Sequence, residues 1–402
     1  MKTYNKFFFY LAWTIYLIYY IVVNDSSYKN ILDYNTIDSV VKASTVLLLL
    51  VSVIFIERYS MRSVFAIIIS VGIFALSSIK SDSQQILMII LFALSAKDNI
   101  KPEKFIKYDL ILRTSLVLFV LLSVFLGIID NVKVEINGYE KYSFGFNHVN
   151  IFGVLIGSIF AEFMMLFYKK IKWWHSIIFF SGLFAIYKIG VSRTSIISMG
   201  FTFLLLFLIK NKRVIKFINK HYKLVSSFPL FISFGCCFLA IIYKRSNSFL
   251  RMIDTILSTR LYWAHHFYEK YGFSLFGHKI VTISTERAKM LGIQAQIFDM
   301  GYVRLAVEYG ILIFAFFLLI SVLGNKYAVQ SKNYGLLLAS LYFSLTLIVE
   351  TGGYNVINNI TLILFTKELL NSNYISEKRY KRLILTENIK NRLQINLKKG
   401  KT

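Results

Sequence analysis

Apolar residues in this chain are gathered into blocks long enough to cross the hydrocarbon core of a membrane as helices. Short polar links separate the blocks, which lack the alternation typical of surface helices or half-buried strands. Hydrophobic residues make up 56% of the chain and charged residues 17%, against about 45–50% and roughly 25% in soluble domains. The sequence therefore predicts an all-α fold, a polytopic bundle of transmembrane helices.

We expect residues 1–402 to form a single transmembrane domain of about twelve helical spans. The first block is expected to remain in the membrane, because no small-residue cleavage site follows it. The predicted spans are residues 7–23, 44–56, 64–79, 85–96, 110–129, 149–168, 176–191, 195–209, 224–243, 307–323, 334–349 and 356–370.

Basic residues give the chain a formal net charge of +25. They are concentrated in alternate links, such as residues 97–107 and 210–223, as Lys and Arg are on the cytoplasmic side of membrane proteins. The chain has no zinc-finger, RNP-type or helix-turn-helix pattern, so nucleic acid is not expected as a partner. The pattern predicts cytoplasmic N- and C-termini, with a basic cytoplasmic tail at residues 371–402.

The longest polar segment between apolar blocks, residues 244–310, falls on the opposite, outer face. Its loop, residues 244–306, joins the ninth and tenth predicted spans. Apolar residues from Leu250 to Tyr271 recur at steps of three and four, which predicts one interfacial helix ended by Gly272 as a left-handed cap. The loop is also basic, which topology does not require. An anionic ligand and a solvated charged face both explain that charge.

Two further polar groups should lie on the outer face. Arg193 stands in a short turn between two spans, where it either anchors the turn at the interface or binds phosphate through its guanidinium. His148 and Asn150 begin the sixth span, where they either bond sugar hydroxyls or cap the helix.

Asp299 precedes the tenth span in a loop rich in Lys and Arg. As a general base it would need to be ionised, and a nearby cation such as Arg304 would favour the charged form. An N-cap at the start of the helix would also favour aspartate, and the sequence leaves both roles open.

Other chemistries lack their motifs. The chain has no metalloprotease HExxH, no phosphate-binding P-loop and no nucleophile elbow. No metal site and no cofactor are predicted. Glu162, inside the sixth span, is the one clearly intramembrane carboxylate, and a proton-coupled transporter usually needs more such groups.

Several short motifs recur in order along the predicted outer face: GFNHVNIFG (145–153), GVSRT (190–194), RLYWA (260–264), LFGH (275–278), DMGY (299–302) and EYGI (308–311). Together with the topology, they resemble the O-antigen and capsular polysaccharide polymerases of the Wzy type, in the O-antigen ligase and polymerase superfamily. Members often have Pro where this chain has Val149. The ligases carry a His-Asn pair where this chain has Asp299 and Met300.

The resemblance implies a GT-C-like bundle in the bacterial cell membrane. It implies a metal-independent glycosyltransferase that joins undecaprenyl-pyrophosphate-linked repeat units on the outer face, working beside the flippase and chain-length regulator of its pathway. A flippase or exporter of lipid-linked saccharides, or a glycan ligase, is the alternative. Under this hypothesis the catalytic residues are Asp299, Arg193 and Arg260, and the substrate-binding residues are Arg304, His148, Asn150, His278, Trp263 and Tyr302.

Overall fold

The computed structural model describes residues 2–55, 64–65, 68–69, 71–73, 76, 85–97, 100–136, 139–188, 193–283, 288 and 291–370. The predicted tail at 371–402 and most of the predicted span at 64–79 lie outside this part of the chain.

The described residues are mainly helical, with one antiparallel hairpin in which Lys133 pairs with Tyr142. We number the elements in chain order: α1 Lys2–Ile18, α2 Tyr34–Ile54, α3 Gln85–Ala96, α4 Pro102–Phe125, β1 Lys133–Ile136, β2 Tyr139–Tyr142, α5 Val149–Phe167, α6 His175–Lys188, α7 Arg193–Lys210, α8 Lys212–Lys220, α9 Tyr222–Ser226, α10 Phe228–Ile242, α11 Ser248–Ile256, α12 Arg260–Tyr271, α13 Gly301–Arg304, α14 Ile311–Gln330, α15 Tyr334–Thr346 and α16 Thr361–Leu370.

Six helices in the described part are long and apolar enough to cross a membrane: Thr3–Asn24 (α1 with the π-helical turn that follows it), α2, α4, α5, α7 and α14. Four shorter apolar helices accompany them: Leu87–Ala96 (within α3), α6, α10 and α15. This confirms the coarse prediction of a helical, membrane-embedded chain. The count of about twelve spans stays a prediction.

The exposed and buried residues of helix α7 indicate that the bundle is surrounded by lipid and not by water. Its exposed face carries large apolar side chains, among them Ile197 and Phe201, whereas Ser198 and Thr202 on the opposite face are buried. A helix in water has the reverse arrangement, with apolar residues turned inward. The buried face also carries large apolar residues such as Phe203 and Leu206. A helix that is apolar on its exposed face as well, and has small residues among its buried ones, is expected to face lipid on one side and to pack on its neighbours with the other.

Two helices near the C-terminal end of the described chain do not match the predicted spans. α15 has 13 residues, so at 1.5 Å per residue it is about 20 Å long and does not cover a hydrocarbon core of about 30 Å. α16 begins at Thr361, five residues after the start of the span predicted there. Between them, residues 347–360 are not α-helical but are largely buried against the bundle. Non-helical backbone at membrane depth is tolerated only where protein covers it or where it lines a cavity. The prediction of helix over 347–349 and 356–360 is therefore wrong.

The predicted interfacial helix is two helices. α11 ends at Ile256 and α12 begins at Arg260, because Ser258 and Thr259 between them have positive φ angles of 55° and 65°. Such a conformation cannot continue a right-handed helix. Gly272 does end α12 as predicted, and its backbone N–H donates to the Tyr268 carbonyl at 2.7 Å. Its φ of +68° is combined with a ψ of −176°, so it does not adopt the predicted left-handed helical conformation.

A glycine break separates α13 and its π-helical continuation, Leu305–Tyr309, from the long helix α14. Gly310 has φ +92°, and a Cβ there would lie 2.5 Å from the backbone nitrogen of Gly277. The backbone of residues 274–278 is bonded to this break, since Ile311 N–H donates to the Ser274 carbonyl and His278 N–H to the Glu308 carbonyl. The long loop is thus attached by backbone hydrogen bonds where the chain turns into α14.

Candidate functional site

Arg260, the first residue of α12, lies between two carboxylates. Its Nη2 is 3.2 Å from Oε1 of Glu350, and its Nε is 3.8 Å from Oδ2 of Asp299. The side chains of Arg260 and Asp299 are 19% and 27% exposed, and that of Glu350 is 9% exposed. The guanidinium is therefore held by the protein yet remains reachable from one side.

The start of α5 joins the same cluster. Asn150 Nδ2 donates to Oε1 of Glu350 at 3.3 Å, so this single carboxylate oxygen accepts from both Asn150 and Arg260. His148 is the N-cap of α5, and its Nδ1 accepts from the backbone N–H of Asn150 at 3.2 Å. His148 therefore does cap the helix, and it also lies near enough to Asp299 to affect the charge of that carboxylate.

Backbone contacts fix the chain that leads into His148. The backbone N–H of Asn147 donates to the Asp25 carbonyl at 2.9 Å, and its side-chain amide donates to the Asn24 carbonyl at 2.8 Å. Ser27 N–H donates to the Gly145 carbonyl at 2.8 Å. The first interhelical loop thus braces the turn that carries His148.

Asp299 is not a helix cap in this structure. Helix α13 begins at Gly301, its N-cap is Met300, and no side chain caps it. Burial raises the pKa of the Asp299 carboxyl, and the attraction of Arg260, Arg304 and His148 only partly offsets that effect. The predicted influence of neighbouring cations such as Arg304 is present, but desolvation has the larger effect on this carboxyl.

Arg304 and Tyr302 are both close to Asp299 in sequence, but their side chains lie in different surroundings. Arg304 pairs with Glu308 one helical turn later, and its Nη1 donates to the Phe298 carbonyl at 3.3 Å. It thus acts on Asp299 through its charge. Tyr302 is 0% exposed and lies in the core, so the prediction that it contacts substrate is contradicted. The ring of Tyr302 is turned into the packed interior.

Two further cations complete the arrangement. Lys141 on β2 has a lowered pKa, caused first by burial and then by repulsion from Arg193 and Arg260. All three positive groups therefore lie close enough to interact, although they come from the hairpin, the start of α7 and the start of α12. Arg193 is exposed, and no carboxylate pairs with it among the described residues. Arg193 and Lys141, which have no carboxylate partner among the described residues, therefore favour an anionic ligand beside the paired Arg260.

Trp263 and His278 lie farther from the carboxylates. Trp263 is one turn along α12 from Arg260 and packs against Tyr262 and His266. The His278 ring lies 5.8 Å from that of Tyr271, and its Nε2 is buried without a hydrogen-bond partner among the described residues. These two predicted site residues border α12, and among the described residues no hydrogen bond or ion pair joins either of them to Glu350 or Asp299.

Sequence reasoning missed Glu350 and Lys141. Glu350 directly follows the predicted span at 334–349 and was not singled out as a site residue. Lys141 lies in a loop with several charges and carries no distinguishing pattern. Only the fold brings these residues to the end of the bundle where Arg193, His148, Arg260 and Asp299 meet.

The fold and the cluster define a helical membrane protein with a polar site that holds both signs of charge at one end of its bundle. The cations suit an anionic group, and the raised-pKa carboxyl suits proton exchange with a hydroxyl. No group of three or more His, Cys, Asp or Glu side chains able to hold a metal ion occurs among the described residues. Comparison of the chain with protein-family models, with curated proteins and with solved structures found no match in any of the three.

Proposed function

We propose that the chain is a polysaccharide polymerase of the bacterial cell membrane. It would transfer a growing glycan from undecaprenyl pyrophosphate to a sugar hydroxyl of the next lipid-linked repeat unit, on the outer face and without a metal. The observation that carries the proposal is the position of Arg260, between two carboxylates and beside Lys141 and Arg193. Six separate chain segments contribute to this one cluster.

Departure of a lipid pyrophosphate requires stabilisation of negative charge more than it requires an acid. Pyrophosphate is a good leaving group. Fixed cations lower the barrier to its departure by stabilising the negative charge that develops on it. Arg193 and Lys141 are the cations without a described carboxylate partner, so they are suited to hold the pyrophosphate. Arg260 is aligned by Glu350 and would bind it through its exposed edge.

The acceptor hydroxyl needs a group that takes its proton. Asp299 has a partly exposed carboxyl with a raised pKa, and Arg260 lies beside it. Such a carboxyl is a stronger base when ionised than an ordinary surface aspartate. His148 and Asn150 lie at the same rim and would contact the sugar. Arg304 attracts the Asp299 carboxylate through its charge. Trp263, one turn along α12 from Arg260, would offer an aromatic face to the sugar.

The proposal is tested by reconstitution. The purified protein is placed in vesicles with undecaprenyl-pyrophosphate-linked repeat unit, isolated from the producing strain after deletion of this protein, and products are separated on a gel. A ladder of longer glycans with release of undecaprenyl pyrophosphate is expected. Protein with Arg260→Ala should make no ladder, whereas Arg251→Ala, an exposed arginine of α11 outside the cluster, should behave like the wild type. No ladder from wild-type protein would refute the proposal.

A flippase of lipid-linked saccharides is the second candidate. One observation favours it: a buried ion cluster of Asp109, Arg113 and Glu162 lies inside the bundle, where transporters place coupling groups. Deletion of the protein separates the two functions. Single lipid-linked repeat units exposed on the outer face indicate a polymerase, and the same units retained on the cytoplasmic face indicate a flippase.

A further inference from the structure

A second polar cluster lies in the interior of the bundle, away from the candidate site. Arg113 is near the middle of α4, and its side chain and that of Asp109 are 0% exposed, while that of Glu162 on α5 is 1% exposed. Arg113 Nε lies 2.9 Å from Glu162 Oε1 and 3.1 Å from Asp109 Oδ2, and Nη2 lies 2.7 Å from the same Asp109 oxygen. One guanidinium thus serves two carboxyl groups.

The two carboxyl groups are not equivalent. Both oxygens of Asp109 accept hydrogen bonds, since Trp13 Nε1 donates to Oδ1 at 2.7 Å and Arg113 donates twice to Oδ2. Glu162 accepts one bond at Oε1, and its Oε2 is buried without a hydrogen-bond partner among the described residues. Asp109 therefore has the environment of a stabilised carboxylate, and Glu162 does not.

If both carboxyl groups of the cluster were ionised, its charges would not balance. One cation and two ionised carboxylates would place a net negative charge in a low-dielectric interior, and unpaired charge there is strongly unfavourable. The other helices beside α5 supply no compensating cation near Glu162. α15 has no charged residue, and the charged residues of α6 and α7, including Arg193 and Lys210, stand at their ends. On α1, Trp13 faces the cluster and is neutral.

We infer that Glu162 binds a proton at Oε2 in the folded protein, forming an intramembrane proton-binding site beside a permanent Asp109–Arg113 ion pair. The proton comes from solvent and adds to an oxygen lone pair, so no other reactant is involved. The site also contacts the segment that carries Glu350, because Arg113 Nη2 donates to the Ile357 carbonyl at 2.7 Å. Ile357 belongs to the buried non-helical segment that begins just before Glu350.

The test compares Glu162→Gln with the wild type in full-length protein reconstituted in nanodiscs. Glutamine is neutral and keeps an oxygen for Arg113, so it imitates the protonated side chain. Its melting temperature should equal or exceed that of the wild type at pH 7. Unfolded glutamate ionises near pH 4.3, so the folded wild type would hold the extra proton. Its melting temperature should then fall relative to Glu162→Gln as the pH rises from 5.

Two comparisons make the result decisive. Asp109→Asn removes the permanent carboxylate and should lower the melting temperature by roughly 5 °C or more, whereas Glu269→Gln, on the exposed face of α12, should change nothing. The infrared difference between wild type and Glu162→Gln at pH 7 should contain the band of a protonated carboxylic acid. Failure of Glu162→Gln to fold, a loss of stability equal to that of Asp109→Asn, or absence of the band would overturn the inference.

Discussion

Arg260 and Glu350 lie 90 residues apart in the chain and are joined by a 3.2 Å contact between Nη2 and Oε1. Glu350 also accepts from Asn150, 200 residues away in sequence. This carboxylate therefore ties the start of α12 to the start of α5 and sets the direction of the guanidinium. The geometry is specific to arginine, since a lysine ammonium is a single point of charge.

Loss of the arginines should abolish polymer formation. With Arg260→Ala or Arg193→Ala, the ladder assay should give less than about 1% of the wild-type rate, since removal of one transition-state donor costs about 10²–10³-fold. Lysine at either position should restore only part of that rate. Membrane insertion should stay normal. Full-length polymer from both alanine variants would eliminate the proposed pyrophosphate site.

Glu350→Gln should slow the reaction while leaving the protein in the membrane. Glutamine keeps an oxygen for Asn150 and Arg260, but it removes the charge that holds the guanidinium. A hydrogen bond to a charged group is worth about 1.5–3 kcal/mol, so the initial rate should fall roughly 10- to 100-fold. Glu269→Gln is the matched control. A rate within about twofold of the wild type would mean that Glu350 does not position Arg260.

The dependence of the polymerisation rate on pH should reflect the titration of Asp299. Because burial raises the pKa of this carboxyl, the wild-type rate should fall with decreasing pH at a higher pH than an ordinary aspartate would give. Asp299→Asn should be slow at every pH and should lack that limb of the profile. The measurement is the initial polymerisation rate between pH 5 and 9. An unchanged acid limb in Asp299→Asn would assign the titration to another group.

Gly301 should not tolerate a side chain. A Cβ at this position would lie 2.6 Å from the Glu350 carbonyl oxygen and 2.5 Å from Leu347 Cδ2. Because backbone cannot move aside easily, Gly301→Ala should destabilise the protein by roughly 1–3 kcal/mol and displace Glu350. Gly235→Ala, in α10 with open space around it, should be neutral or slightly stabilising. Thermal unfolding of the two variants provides the comparison.

Asp25 should make stability depend on pH near neutrality. Burial raises its pKa to about 7, with Asn24 and Lys29 opposing the shift, whereas the unfolded group has a pKa of about 3.9. The folded state binds the additional proton, so stability is highest below the unfolded pKa and is lost as the pH rises through 7. Relative to Asp25→Asn, the wild-type melting temperature should fall between pH 4 and 8. A constant difference would contradict this assignment.

Sequence patterns located the polar positions that the fold later groups together. His148 and Asn150 stand out because they lie at the start of an apolar block, and Arg260 and Asp299 because they lie in the long polar loop between two blocks. Helices of a bundle bring such block ends and loops to one face. Two features lacked any such signal. The chain breaks the helix at Ser258 and Thr259, although the apolar periodicity of the sequence continues through these residues. Tyr302 belongs to the same polar motif as Asp299, yet the direction of a side chain on a short helix depends on packing.

The sequence also indicated only part of the buried ion cluster. Glu162 interrupts an apolar block, whereas Asp109 and Arg113 stand at the start of a block whose preceding link carries several lysines. Hydropathy alone places them near the interface. The structure places them inside because α4 begins at Pro102, eight residues before the predicted span.

The short helix α15 and the buried segment that follows it affect how the chain enters the membrane during synthesis. α15 is too short for the translocon to release alone into lipid, and the segment at 347–360 would expose unpaired backbone groups there. Both must therefore wait for α14 and the earlier helices to cover them. The last part of the described bundle, with Glu350 in it, is completed only after the rest has been synthesised.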